Sequence, residues 1–347
     1  MLPIKFIPVY AERVWGGRAL ETLLRRSIPP NKKIGESREI SDRPEAVSVV
    51  AEGEFCGRTL REILTERGNE ILGDGVPAGT RFPLVVKWLD CAEKSSLQVH
   101  PTAEAAARFG GEKKTEAWYF FRTAPGADFF AGLRGGVDAE TLRRAVAAGT
   151  PEPLLLRHRS AAGTALVLHA GTVHSSGAGN VILEIQESSD STFRLYDWAR
   201  LDASGKPRRL HLEEALASID FEKNAEAHFS AARQENSAPR AATPGGKVEL
   251  CRCESFSMSR VELAADGAPY RVPAREQARV VVVLSGTLRI ENADENSSDA
   301  PAAFCALDTF GTALLPFCSA FRLCAAGGNA ASFILVENFG AAAPSAH

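Results

Sequence analysis

Seven histidines are spread unevenly along the chain: His100, His158, His169, His174, His211 and His228 precede a stretch rich in Ala, Ser, Pro and Gly at 229–246, and only His347 follows it. An imidazole-rich metal site must therefore lie in the first part of the chain. Gln98 and His100 are two apart in a strand-like segment, so alternation puts both side chains on one face. Glu116 opens the β-prone run Ala117-Trp118-Tyr119-Phe120-Phe121, and His174 follows Gly171-Thr172-Val173 at a turn. Two imidazoles and one carboxylate are a catalytic zinc set that leaves positions open for water or substrate. The Gln98 carbonyl oxygen is a fourth, weaker ligand. The same trio suits non-haem iron, and residue types do not separate the metals. His169 ends an apolar run and reads as a hydrogen-bonded structural residue. His158 and His211 lie beside helical stretches and receive no role.

The elements that must carry these residues are short. Leu84 to Leu89 follows Pro83 as an apolar, β-branched run whose one charge is Lys87. Ser96–His100, Ala117–Phe121, Thr164–His169, Val181–Gln186 and Thr192–Trp198 read as further strands. Helical stripes occur at Ala19–Leu24, at Leu60–Leu72 with a glycine interrupting it, at Asp138–Ala148 with Asp138 as N-cap, and at Leu212–Ile219. Residues 229–246 read as a linker. Beyond it, Ser257–Leu263, Ala278–Leu284, Thr287–Glu291 and Ser332–Glu337 form a second lobe of strands, with Asp294–Asp299 an exposed acidic loop. Many short strands, Gly/Pro turns and edge helices imply a mainly β chain of sandwiches or small barrels in two β lobes with peripheral helices. The expected division is a catalytic lobe at 1–228, a linker at 229–246 and a C-terminal β lobe without a metal site at 247–347.

Composition narrows the partners. The net charge of -3 comes with no basic cluster, which argues against nucleic acid. The start Met1-Leu2-Pro3-Ile4-Lys5 has no apolar leader core, and no long apolar span occurs, so neither signal peptide nor membrane helix is expected. The seven cysteines are odd in number and scattered without a CxxC pair, and read as free thiols of a reducing, cytoplasmic compartment. Charged ligands must then be handled by a few residues in a pocket. The oligomeric state is not legible.

Six segments stand in a familiar order: Val14-Trp15-Gly16-Gly17, Gly35-Glu36-Ser37, Ser96-Leu97-Gln98-Val99-His100-Pro101, Lys114-Thr115-Glu116, Gly171-Thr172-Val173-His174 and Ser189-Asp190-Ser191-Thr192-Phe193-Arg194. In these the chain resembles class I mannose-6-phosphate isomerases, members of the cupin superfamily, from near residue 10 to near residue 200. The resemblance implies cupin jelly-roll barrels. It also implies one zinc ion on Gln98, His100, Glu116 and His174, with iron or manganese as alternatives. It places an arginine near the reacting sugar at Arg194, a lysine at Lys114, phosphate candidates at Lys87 and Ser96, and an acidic strand residue at Glu184. The substrate implied is a sugar phosphate, mannose 6-phosphate or fructose 6-phosphate. Two positions depart from the general cupin pattern: Gln98-Val99-His100 stands where His-x-His is usual, as in the isomerase branch, and His169 occupies a usual proline position.

The chemistry assigns expected roles. Aldose–ketose isomerisation passes a proton between C1 and C2 through an enediol, and a metal beside O1 and O2 acts as a Lewis acid. The base is Glu184, a hydroxide on the metal, or Lys114; Glu184 reads equally as an outward-facing strand carboxylate. Arg194 suits an oxyanion or a phosphate, or an ion pair with Asp190 or Asp197. Lys87, set between apolar neighbours, either points into a wet pocket, with Ser96, or makes an inward salt bridge. Two other readings compete: an iron-dependent cupin dioxygenase, which would want an apolar pocket, and a sugar-phosphate sensor without chemistry.

Overall fold

The computed structural model describes residues 1–77, 79–202, 204–222, 224, 246–293 and 303–339. The expected linker, apart from Gly246, lies outside the described residues, as do the acidic loop, His228 and His347. Among the described residues no helix is long and apolar enough to cross a membrane. The fold is mainly antiparallel β with short peripheral helices, as expected.

The chain divides into two compact units, one gathering Met1–Val9, Glu39–Val85 and Pro239–His347, the other Tyr10–Arg38 and Val86–Ala238. These are not the contiguous lobes expected. The reason is strand pairing: Ile4 and Lys5 stand opposite Leu314 and Ala313, while Phe6 and Ile7 stand opposite Val50 and Val49. The N-terminal strand Ile4–Ile7 thus belongs to a seven-stranded sheet built mostly from the C-terminal part of the chain.

In that unit the seven-stranded sheet accompanies a four-stranded one. Inward-facing Val261, Val281, Val283, Ile290, Leu323 and Phe333 pack together with Leu288, Leu307 and Phe321, so apolar side chains fill the core. The helix Leu60–Leu72 starts on a capping box, with Thr59 accepting from the Glu62 amide and Glu62 answering at the Thr59 amide. It kinks at Arg67, beside the glycine that interrupts the sequence pattern.

In the other unit a five-stranded and a six-stranded sheet carry the site. The first runs Leu155–Arg159, Asp128–Leu133, His174–Ser176, Leu97–Val99, Phe193–Tyr196; the second runs Ala165–Leu168, Glu116–Thr123, Asn180–Glu187, Leu84–Cys91, Ile34–Ile40, Val9–Gly17. The helix Ala139–Ala147 is capped by Asp138, whose carboxylate accepts from the Thr141 amide.

Candidate metal centre and substrate cavity

Register brings the site together. On the five-stranded sheet Gln98 stands opposite His174 on one side and Arg194 on the other. On the six-stranded sheet Glu116 stands opposite Gln186, and Trp118 opposite Glu184. Residues two apart share a face, so one wall carries Glu116 with Trp118, Glu184 with Gln186, Glu36 with Arg38, and Arg13 with Trp15. Lys87 comes from the strand Leu84–Cys91, between Asn180–Glu187 and Ile34–Ile40. The neighbouring strands Val9–Gly17 and Ile34–Ile40 leave no room for a side chain at Gly35: a Cβ there would lie 2.6 Å from Arg13 Cβ and 2.8 Å from the Trp15 ring. That contact seats Arg13 against Glu36, which it binds at 2.7 and 3.0 Å.

His100, Glu116 and His174 form the group of metal-capable side chains found among the described residues, all buried, with ligand atoms within 4.8 Å of one another. His100 Nδ1 donates to the Ser191 carbonyl at 3.1 Å and His174 Nδ1 to the Thr172 carbonyl at 2.9 Å. Each ring thereby keeps its Nε2 lone pair for the site. Burial, and then the charge of Lys114, push His100 down to about 3; burial likewise lowers His174, so both are neutral near pH 7. Glu116 is the reverse case. Burial opposes its charge, but the Lys114 ammonium beside it holds Glu116 well below the usual carboxylate range. The result is an electron-rich centre: His100 Nε2 lies 2.9 Å from Glu116 Oε2 and His174 Nε2 lies 3.4 Å from Oε1. Acceptors face acceptors there, and buried Glu116 Oε1 has no hydrogen-bond donor. A cation resolves that conflict, so the donor set fits a divalent metal. Gln98 donates its amide to His174 Nε2 at 3.1 Å, and a half-turn of that amide would present oxygen to the same point.

The cavity beside this centre holds about 310 Å³, within the range of small-molecule sites. Every predicted substrate or catalytic residue lines it: Lys87, Ser96, Lys114, Glu184 and Arg194. Lys87 is buried, and its ammonium donates to Glu184 at 2.9 Å and to Gln186. Burial disfavours its charge, but Glu184 and Glu36 overcome that and hold the Lys87 ammonium above its ordinary value. Both readings of Lys87 therefore meet in one residue: it makes an inward salt bridge and faces the cavity. Glu184 also accepts from the Trp118 indole at 3.0 Å, which excludes an outward-facing carboxylate. Lys114 lies 3.1 Å from Glu116, and Ser96 donates to Gln98 at 3.1 Å. Among the described residues Arg194 makes an ion pair with neither Asp190 nor Asp197; it donates to the Arg209 carbonyl at 2.8 Å. Burial and then Arg208 lower its affinity for the proton, which marks an accumulation of cations.

Sequence reasoning missed several wall residues. Glu36, buried beside Arg13, Arg38 and Lys87, is held at about 2: burial opposes ionisation and the three cations prevail. Arg38 grips Asp190 at 3.1 and 3.3 Å, in place of the Asp190–Arg194 pair considered above. Asp197 takes Arg200 and Arg208. His211, given no role, accepts from the Arg194 amide at 3.2 Å and steadies that strand. His158 donates to or accepts from no ligand set; it bonds the Ala131 carbonyl and stacks on Phe129. His169 is exposed and is not one of the clustered ligand candidates. Alternating charges along a strand, as in Glu36-Ser37-Arg38-Glu39, were the signal available for the wall.

Residues 4–119 match the family model for the catalytic domain of type I phosphomannose isomerase. Mannose-6-phosphate isomerase ManA of Bacillus subtilis is 37% identical over 228 residues, 65% of this chain and 70% of the relative. The probable mannose-6-phosphate isomerase GmuF of Bacillus subtilis is 30% identical over 292 residues, 84% of this chain and 88% of the relative. The crystal structure of the Bacillus subtilis mannose 6-phosphate isomerase superposes with a TM-score of 0.76 at 27% identity, covering 97% of this chain and 100% of that one. With its buried His/Glu/His centre on two facing walls of strands, the chain belongs to the type I mannose-6-phosphate isomerase family of enzymes.

Proposed function

We propose that this chain interconverts mannose 6-phosphate and fructose 6-phosphate using one zinc ion, held by His100, Glu116, His174 and Gln98. The observation that carries this reading is the convergence of two lone-pair-bearing imidazoles on the ionised, buried Glu116, at the edge of a cavity lined by cations. A zinc ion held there would supply Lewis-acid polarisation of the sugar's reacting oxygens. The remaining work falls to the chain. Glu184, oriented by Lys87 and Trp118, keeps acceptor capacity at both oxygens and takes the base role, passing the proton between C1 and C2. Lys114, 3.1 Å from Glu116 and on the same cavity, is the alternative proton carrier. Arg194 faces the charge that develops on the enediol oxygens. An ammonium has three donors, and two of those on Lys87 are spent within the wall; with the Ser96 hydroxyl, the third serves the phosphate. Lysine and arginine around the metal favour an anionic sugar over the apolar substrate of a dioxygenase.

A coupled assay with mannose 6-phosphate, run before and after chelation and after zinc return, tests this. Activity that disappears with the metal and comes back with zinc is expected. Activity that is unaffected after complete metal removal, verified by elemental analysis, would sink the metal role; no turnover with full zinc loading would sink the substrate assignment.

A further inference from the structure

The turn that presents His174 is fastened by a residue fifty positions later. Asn224 is almost wholly buried, at 1% exposure. Its Oδ1 accepts from the Val173 amide at 2.9 Å, and its Nδ2 donates to the Gly171 carbonyl at 2.8 Å. The same Nδ2 donates to the Asp220 carbonyl at 2.7 Å. These partners fix the amide's orientation, since the reverse would set donor against donor at Val173 and acceptor against acceptor at Gly171. The Asn224 backbone is equally engaged: its carbonyl accepts from the Leu133 amide at 2.8 Å, and its amide donates to Asp220 at 3.0 Å. Asn224 thus spans Gly171 and Val173 on either side of Thr172, the residue whose carbonyl orients the His174 ring. The turn has little freedom to compensate. Gly171 has φ +86, and a Cβ there would meet the Ser218 carbonyl at 2.9 Å.

We propose that Asn224 is a positioning residue for His174: it locks the Gly171–Val173 turn so that the Thr172 carbonyl holds the imidazole with Nε2 toward the metal. The inference rests on the metal reading above. Removing the amide leaves the Val173 N–H and the Gly171 carbonyl buried without those partners. Replacing it by a carboxylate keeps the shape but sets oxygen against the Gly171 carbonyl.

The test uses zinc as the probe on the full-length chain. Asn224→Asp and the milder Asn224→Ser are compared with the unaltered chain by chelator competition, alongside circular dichroism and nitrogen-15 NMR of the histidine rings. Outer residues that orient metal ligands change affinity by about 10–100-fold. We expect the zinc Kd of folded Asn224→Asp to rise by about that factor, with a smaller rise for Asn224→Ser. The His174 Nδ1–H signal of the metal-free protein should broaden or shift while that of His100 stays in place. A purely structural role would lower Tm alone. If either folded variant binds zinc within twofold of the unaltered chain and keeps its His174 signal, the inference is wrong. If the unaltered chain itself binds zinc without perturbing His174, the metal reading fails instead.

Discussion

Arg194 and Lys87 are both cations in one cavity, but they differ in when their charge is needed. The enediol's charge exists only as the reaction proceeds, so a guanidinium aimed at it is worth more in the transition state than in the ground state. Phosphate carries its charge throughout. Arg194→Ala should therefore lower kcat and kcat/KM together by about 100-fold, or about 2.7 kcal/mol. Lys87→Met should raise KM, and because Lys87 also holds Glu184 it should cost some kcat as well. Steady-state kinetics with mannose 6-phosphate separate the two. A raised KM with kcat intact for Arg194→Ala would make that residue a ground-state binder and reverse the assignment.

Strands decide which residues could be read in advance. Gln98, Glu116 and Glu184 sit on segments whose apolar alternation or β-branched content marks them as strands, so the faces they share follow from period two alone. The strand Ile34–Ile40 is the counterexample. Its sequence Ile-Gly-Glu-Ser-Arg-Glu-Ile resembles an exposed segment, yet every residue in it is buried. Its charges are tolerated because Arg13 and Asp190, from distant parts of the chain, complete them. Pairing of that kind is invisible to periodicity, as are His211 and Asn224, single polar residues whose partners are backbone groups. The glycine in this strand yields a sharp expectation. Gly35→Ala must force a methyl into the Arg13 and Trp15 side chains, which already close over this position. It should destabilise the protein by about 1–3 kcal/mol and weaken turnover by displacing Arg13 and Glu36. Thermal melts and kcat/KM measured on the same sample check it, and an unchanged melt would show that the packing over Gly35 has slack.

At the scale of the whole molecule the two units divide the labour. The His/Glu/His trio and its cavity belong to the unit of Tyr10–Arg38 and Val86–Ala238. The other unit spends its interior on packing, with Phe333 fully buried at its centre. Phe333→Ala should cost about 3–5 kcal/mol of stability, read from urea unfolding, while the zinc Kd of the folded protein stays the same. A shifted Kd would show that the second core supports the metal site.

The pairing of Ile4–Ile7 with Thr312–Leu315 also sets a timetable for biosynthesis. Phe6 and Ile7 meet Val50 and Val49 early in synthesis, but Ile4 and Lys5 gain Leu314 and Ala313 only about 300 residues later. At about 5–20 residues per second, that strand waits for tens of seconds. Through that interval an apolar edge lies open to other nascent chains. A polypeptide that stops short of Thr312 would carry every metal-capable residue of the trio, yet leave Ile4 and Lys5 permanently without that neighbour.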